Sequence, residues 1–223
     1  MNRTVFSLLL LIFLYSARLI AQDSNYGSWW IYVGTGTFGE KWSLFTEAQY
    51  RDNGFFNDFD TFCFRIAGQY DVHKNVNLSL GYSHFISQPV VDGEITTRHE
   101  YRPYQQLLIR NNYGRVYFNH RYRFEQRFRE DDFSLRFRYF FQTFVVLNKK
   151  KLEKNALYLS GYAEVFLNTE KPVFDRIRAY AGLGYQISNT IRMEIGNMVQ
   201  ARETRSRNQL NVFLVHNFKY TEK

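Results

Sequence analysis

The chain has 223 residues, enough for one domain of ordinary size, and a formal net charge of +8. Aromatic residues make up 19% and there are only three Pro, a composition that suits pleated strands and interrupts few ladders. One cysteine, Cys63, excludes an internal disulfide. Beyond residue 21 no stretch approaches the ~18 uncharged apolar residues that a membrane helix needs.

Residues 1–21 differ from the rest. Asn2 and Arg3 lead into an apolar run at 5–14. A run of about ten residues is too short to span a bilayer as a helix. It fits the core of a signal peptide, with cleavage expected after Ala21 to leave Gln22 first. Leu19 stands three residues before that site, where a small residue is usual, and no cysteine nearby offers a lipid anchor. Cleavage removes Arg3 and Arg18 and lowers the formal charge from +8 to +6. Residues 22–223 are expected to form one domain.

From residue 26 onward the sequence alternates with a period of two, which sends successive side chains to opposite faces of a strand. A weak strand fits 26–36. At 42–51, Trp42, Leu44, Ala48 and Tyr50 oppose Glu47, Gln49 and Arg51. At 61–72, Phe62, Phe64, Ile66, Tyr70 and Val72 oppose Arg65, Gln69 and Asp71, with Cys63 in mid-strand as a small packed thiol. Weaker strands fit 76–86 and 99–110.

The segment 115–129 is the clearest. One phase holds Arg115, Tyr117, Asn119, Arg121, Arg123, Glu125, Arg127 and Arg129; the other holds Val116, Phe118, His120, Tyr122, Phe124, Gln126 and Phe128. One face therefore carries six charges and the other none. Strands of soluble sheets run about five or six residues, whereas a strand that crosses a membrane needs about 9–11. At 132–147, Phe133, Leu135, Phe137, Tyr139, Phe141, Val145 and Leu147 oppose Ser134, Arg136, Arg138 and Gln142. A weaker strand at 156–167 carries Glu164. At 175–187, Ile177, Ala179, Ala181, Leu183, Tyr185 and Ile187 oppose Arg176, Arg178 and Gln186. At 190–200, Ile191, Met193, Ile195 and Val199 oppose Arg192, Glu194 and Gln200. At 209–220, Leu210, Val212, Leu214, Phe218 and Tyr220 oppose Gln209, Asn211, Asn217 and Lys219.

The expected fold is all-β: a transmembrane antiparallel up-and-down β-barrel in the outer membrane of a Gram-negative bacterium, reached through the general secretory pathway. Such a barrel turns one face of each strand to lipid and the other to a polar interior, so the mean hydropathy of −0.43 is an average of two opposite surfaces. Short connections fall at 38–40, 73–75, 112–114, 148–155 and 188–189. Longer or more polar ones fall at 52–58, 87–98, 129–132, 168–174 and 201–207. This alternation matches short periplasmic turns and longer outer loops. Eleven candidates leave the count odd, while bacterial single-chain barrels are even-numbered. About twelve strands are expected, the extra one hidden near 22–30 by a bend at Gly27; ten is the alternative, with 26–36 outside the wall. The run from Val212 to Tyr220 resembles the C-terminal strand signal of outer-membrane proteins, followed here by Thr221-Glu222-Lys223.

The inward phase is the chemical feature. Its candidate lumen-lining residues are Glu47, Arg51, Arg65, Arg121, Arg123, Glu125, Arg127, Arg136, Arg138, Glu164, Arg176, Arg178, Arg192 and Glu194, joined in phase by Glu100, Arg102, Arg110 and Arg115. Two readings stand. An Arg-lined constriction favours anions, which makes a narrow porin-like channel for small anionic solutes. Alternatively the arginines and glutamates fill the interior of a closed structural or partner-binding barrel, since ten to twelve strands lie between the filled eight-stranded type and open porins.

An outer-membrane acyl hydrolase is less favoured, and the expectation is no enzyme. The residues two beyond His73, His84, His99, His120 and His216 are Asn75, Ile86, Tyr101, Tyr122 and Phe218, none of them Ser, and Ser83 alternates to the face opposite His84. Dispersed His residues offer no zinc site, and nothing points to another cofactor. A sequence pI near 9.5 invites a nucleic-acid reading, but arginines pointing into a barrel do not meet nucleic acid. The expected partners are outer-membrane lipids, lipopolysaccharide and the assembly machinery, with Lys149, Lys150, Lys151 and Lys154 forming a basic turn.

Lys41-Trp42-Ser43-Leu44 with Glu47, Gln49, Tyr50 and Arg51, the strand His120-Arg121-Tyr122-Arg123-Phe124-Glu125-Gln126-Arg127-Phe128, then Arg136-Phe137-Arg138-Tyr139 and the stretch 176–184 together resemble domain-of-unknown-function family 2490. The resemblance covers most of 25–220. It implies an outer-membrane barrel without an assigned activity and transfers no catalytic residue.

Overall fold

The computed structural model describes residues 26–220 except Phe55, Asn57 and Asp131. The expected leader, its cleavage site and the tail 221–223 lie outside the described residues. Every described element is a strand: β1 Gly27–Phe38, β2 Trp42–Asp52, β3 Phe59–His73, β4 Val76–Ser87, β5 Val90–Val91, β6 Glu94–Ile95, β7 Arg98–Tyr113, β8 Val116–Arg129, β9 Asp132–Val146, β10 Leu157–Asn168, β11 Phe174–Gln186, β12 Ile191–Ala201 and β13 Ser206–Tyr220. β5 and β6 make a small hairpin of their own between β4 and β7. The other eleven close into a barrel in chain order.

Each neighbouring pair is antiparallel except the seam, where β1 lies parallel to β13 from Gly27 opposite Gln209 to Phe38 opposite Tyr220. Parity requires this. When strands alternate in direction, the first and last of an odd set run the same way and can close only in parallel. The structure thus replaces the expected twelve, and the alternative ten, by the eleven that the alternation itself delivers. Segment 26–36 belongs to the wall as part of β1. Its alternation is weak because Trp29, Ile31 and Val33 face inward, where Trp29 and Ile31 pack with Tyr180 and Met198.

The wall strands run from 11 to 16 residues. At a rise of about 3.3 Å per residue and a tilt near 40°, even the shorter ones give a wall about 25 Å tall. Tight turns join the strands at one end; Gly39 and Gly114 take positive φ there (61° and 56°), which costs glycine nothing. The connection 147–156 at this end is more than a turn. Leu152 and Ala156 fold inward onto Phe144, Val146 and Tyr158, and the Leu152 N–H donates to the Tyr117 hydroxyl at 3.1 Å. The longer loops gather at the opposite end.

The period of two holds around the wall. Trp42, Leu80, Phe137 and Ile195 are exposed on the outside, while Arg136, Glu125, Asn77 and Asn211 are buried inside. This inverts a soluble protein, in which charged residues are almost never fully buried unless paired.

Candidate functional site

Charge is densest in the lumen, and register explains how it is neutralised. Four glutamates stand directly across from an arginine on the next strand: Glu47 opposite Arg65, Glu100 opposite Arg129, Glu125 opposite Arg136, and Glu164 opposite Arg178. Glu125 takes Arg136 Nη2 at 2.6 Å on one oxygen and Arg138 Nη1 on the other. Glu164 Oε1 takes Arg138 Nη2 and, at 2.7 Å, Arg121 Nη2, with Arg178 3.7 Å from its second oxygen. Glu47 pairs Arg65. Arg123 would face Arg138 as a like-charge pair. It turns instead to the Gln106 carbonyl oxygen, which it reaches from Nη2 at 2.6 Å, and stacks on Tyr104 with its guanidinium 4.0 Å from the ring centre. These groups form the middle layer. Glu125 is 1% exposed and Arg136 2%.

Toward the long loops, arginines outnumber acids and aromatic rings take the place of carboxylates. Arg102 lies 3.7 Å over Phe85, and Arg51 lies 3.8 Å over Trp29. Arg178 sits between Trp29 (4.9 Å) and Phe166 (4.7 Å), and Arg138 also covers Phe166 at 4.5 Å. An arc of guanidinium and ring alternates across the barrel: Arg102, Phe85, Arg51, Trp29, Arg178, Phe166, Arg138. A guanidinium over a ring face is worth about 2 kcal/mol when both are desolvated, which offsets part of the cost of burying the charge. Above the arc lies a polar cavity of about 600 Å³, walled by inward residues and by rim groups such as Arg98, Glu130 and Arg202. At its edge Glu100 holds Arg127 at 2.6 Å and Arg102 on its other oxygen, and Asp175 holds Arg176 at 3.0 Å and Arg136 at 2.9 Å.

Toward the short turns the filling changes to rings and aliphatics. A Cβ on Gly184 would strike the ring of Tyr158, and one on Gly81 would strike Tyr104, so these glycines let a tyrosine lie flat along the inner wall. Glu194 has no arginine in ion-pair range among the described residues; the Tyr158 hydroxyl donates to it at 3.3 Å. Arg192 lies 5.7 Å over Phe144.

The structure therefore places all fourteen candidates on the inner face but not in one cluster. Glu125, Arg136, Arg138, Glu164, Arg121, Arg123 and Arg178 share one network. Arg176 joins it through Asp175; Glu47 pairs with Arg65, and Arg127 shares Glu100 with Arg102. Arg51 donates to Gln49, with Nε at 3.0 Å. Arg192 and Glu194 lie apart below. Alternation alone passed over Phe85, Phe166 and Trp29, the ring partners of the arginines. Their signal was phase: Phe85 alternates with Ser83 and Ser87, and Phe166 with Glu164 and Asn168, aromatics on a polar face. Cys63 is fully buried on the inner face. Ser83 is buried inward, while His84 stacks on the exposed Tyr101 at 4.7 Å and lies 3.0 Å from a ring nitrogen of His99. Among the described residues no group of three or more His, Cys, Asp or Glu is placed to hold a metal ion.

No curated protein and no solved structure matches the chain at a significant level. One family model does match, over residues 26–211, and its description is a protein of unknown function, DUF2490. The match spans nearly the whole barrel, from β1 into β13, and coincides with the strands whose Arg-Tyr-Arg-Phe-Glu-Gln-Arg-Phe pattern carried the resemblance: the chain belongs to domain-of-unknown-function family 2490.

Proposed function

We propose that this protein is an integral outer-membrane β-barrel whose lumen is sealed, a barrel that holds or binds and does not conduct. The observation that carries the sealing is the inaccessibility of the middle layer: a continuous water-wide path would wet the side chains along it, yet Glu125, Arg136 and Asn211 are 0–2% exposed. The folded connection 147–156 adds a second closure at the short-turn end. Membrane residence is supported by the apolar outer belt and by aromatic groups near both of its edges. Phe38 with Tyr220 (5.9 Å) and Trp42 with Tyr70 (4.8 Å) mark the short-turn edge; Trp30 with Phe56 (4.6 Å) and Tyr50 with Phe59 (5.5 Å) mark the other. Paired girdles of this kind flank the lipid band of outer-membrane barrels. In this reading lipids and lipopolysaccharide surround the outer face, the assembly machinery inserts the chain, and residues 1–21 direct its export.

The narrow anion channel draws on the same arginines but requires the Glu125–Arg136–Arg138–Glu164 network to part. Planar-bilayer conductance of the purified protein, with the reversal potential in a salt gradient, separates the two. The sealed barrel predicts silence. A steady conductance that prefers chloride would restore the channel and overturn the sealing. The protein is proposed as a non-enzyme, a reading favoured by Ser83 turning inward while His84 stacks outside on Tyr101.

A further inference from the structure

The cavity at the long-loop end is walled by eleven arginines against four carboxylates, Asp60, Glu100, Glu130 and Asp132, a formal excess of seven positive charges. Four further carboxylates touch these arginines from behind: Glu47, Glu125, Glu164 and Asp175. With all of them credited, eleven cations still face eight anions. The surplus is localised. Arg51 is 8% exposed, and among the described residues it has no carboxylate in ion-pair range. Among those same residues Arg98 and Arg202 at the rim have none either. Arg65, 5% exposed, keeps a buried Nε without a hydrogen-bond partner, and so does Arg102. Buried donors left unpaired cost about 1–3 kcal/mol each, and two of them beside arginines that lack a carboxylate, around one cavity, point to a ligand that satisfies them.

The shape is defined as well. The arc Arg102–Phe85–Arg51–Trp29–Arg178 forms the floor, with each guanidinium held flat by a ring, so that its free N–H edges are fixed in place. A planar fork fixed in this way suits two-oxygen recognition of phosphate or carboxylate. A cavity of about 600 Å³ lies within the range of small-molecule sites. Because its walls are the inner faces of the strands, it receives solutes over the rim; lipid headgroups meet only the outer face.

We infer that this cup binds a small soluble oxyanion with two or more anionic groups, of the diphosphate or polycarboxylate class, held by Arg51, which has no carboxylate partner among the described residues, and by the unused donors of Arg65 and Arg102, and drawn in by the rim arginines Arg98 and Arg202. The inference deepens the sealed-barrel reading, since a blind cup retains a ligand where a pore would pass it on.

Titration calorimetry of the folded protein in detergent tests it, with pyrophosphate as the probe, citrate as the carboxylate arm and ~0.1 M NaCl present to screen loose attraction. Saturable binding of either probe at one site is expected. Arg51→Gln should weaken it about tenfold, the size of one charge-assisted hydrogen bond. Should Arg51→Gln not fold, Arg98→Gln at the exposed rim serves as the second variant and should weaken binding about threefold, as a screened steering charge does. Arg115→Gln, at the short-turn end, should leave affinity unchanged. No saturable heat with either probe overturns the inference, as does an equal loss in Arg115→Gln, which would mean bulk attraction only. Conductance decides the sealing separately: binding in a conducting barrel keeps the cup and removes the seal, while silence without binding does the reverse.

Discussion

The two ends of the lumen are made by the same eleven strands and filled by opposite chemistry. At the long-loop end, β4, β10 and β1 each turn one large ring inward, Phe85, Phe166 and Trp29, and arginines stack on all three. At the short-turn end Phe144, Val146 and Tyr158 turn inward, closed over by Leu152 and Ala156, and Arg192 and Glu194 are set among them. The difference follows from access to water. Guanidinium groups beside an open cavity keep part of their hydration; in the closed end charges lack that water and are few, Arg192 lying over Phe144 and Glu194 taking the Tyr158 hydroxyl. Between the ends, the Glu125 and Glu164 network tolerates burial because each carboxylate is shared by two or three arginines. Among the described residues the interior is filled by long cations held between neighbouring strands and strands two apart.

The middle layer is where a single substitution should cost most. Glu125→Gln leaves Arg136 and Arg138 short of a counter-charge, and loss of one partner of a buried network costs about 3–5 kcal/mol. The expected result is a urea midpoint, followed by the gel shift between folded and boiled forms, that falls further than for Phe124→Arg, Leu152→Ala or Arg51→Gln. The wall comes next. Phe124 lies outward and partly buried against Phe137, at 4.6 Å between ring centres. Phe124→Arg should cost about 2–4 kcal/mol in a bilayer and impair insertion more than Arg123→Phe does. The reverse order would mean that the faces are assigned backwards. Leu152→Ala at the closed end should cost about 1–2 kcal/mol, less than a fully buried leucine, because Leu152 is only partly covered. At the open end the sign should change. Arg51→Gln removes one of several crowded cations, so stability should hold or rise, by less than about 1 kcal/mol, and the gain should shrink in high salt. A loss above about 2 kcal/mol would mean that Arg51 is held by more than Trp29 and Gln49.

Much of this architecture was legible in the residues. Two faces of β8 separate six charges from none, and that alone places Arg121, Arg123 and Glu125 inside. Short and long connections sorted the two ends in the main, but length misled at 147–156, which is long at the short-turn end, and between β8 and β9, where the strands end at Arg129 and restart at Asp132. The seam was not legible, because pairing of β1 with β13 joins residues some 180 positions apart, and no local pattern records whether that pairing is parallel. The network was half legible. Glu125 and Arg136 could be placed on one face, yet their meeting depends on the β8–β9 register, Gln106 meets Arg123 through the β7–β8 register, and Asp175 reaches Arg136 across β10. The inward rings were hidden for a different reason. Phe85, Phe166 and Trp29 belong to weakly alternating strands, where an aromatic on the polar face reads as noise until arginines are seen to stack on it.

The sealed lumen is the central claim, and the chain carries its own probe. Cys63 is the single cysteine, points inward on β3 and has no exposure. A small maleimide applied to the folded protein in lipid vesicles, and again after unfolding in denaturant, reads whether water reaches that thiol. The sealed barrel predicts no labelling while folded and complete labelling once unfolded. Rapid labelling of the folded protein would show a wet path through the lumen and contradict the account.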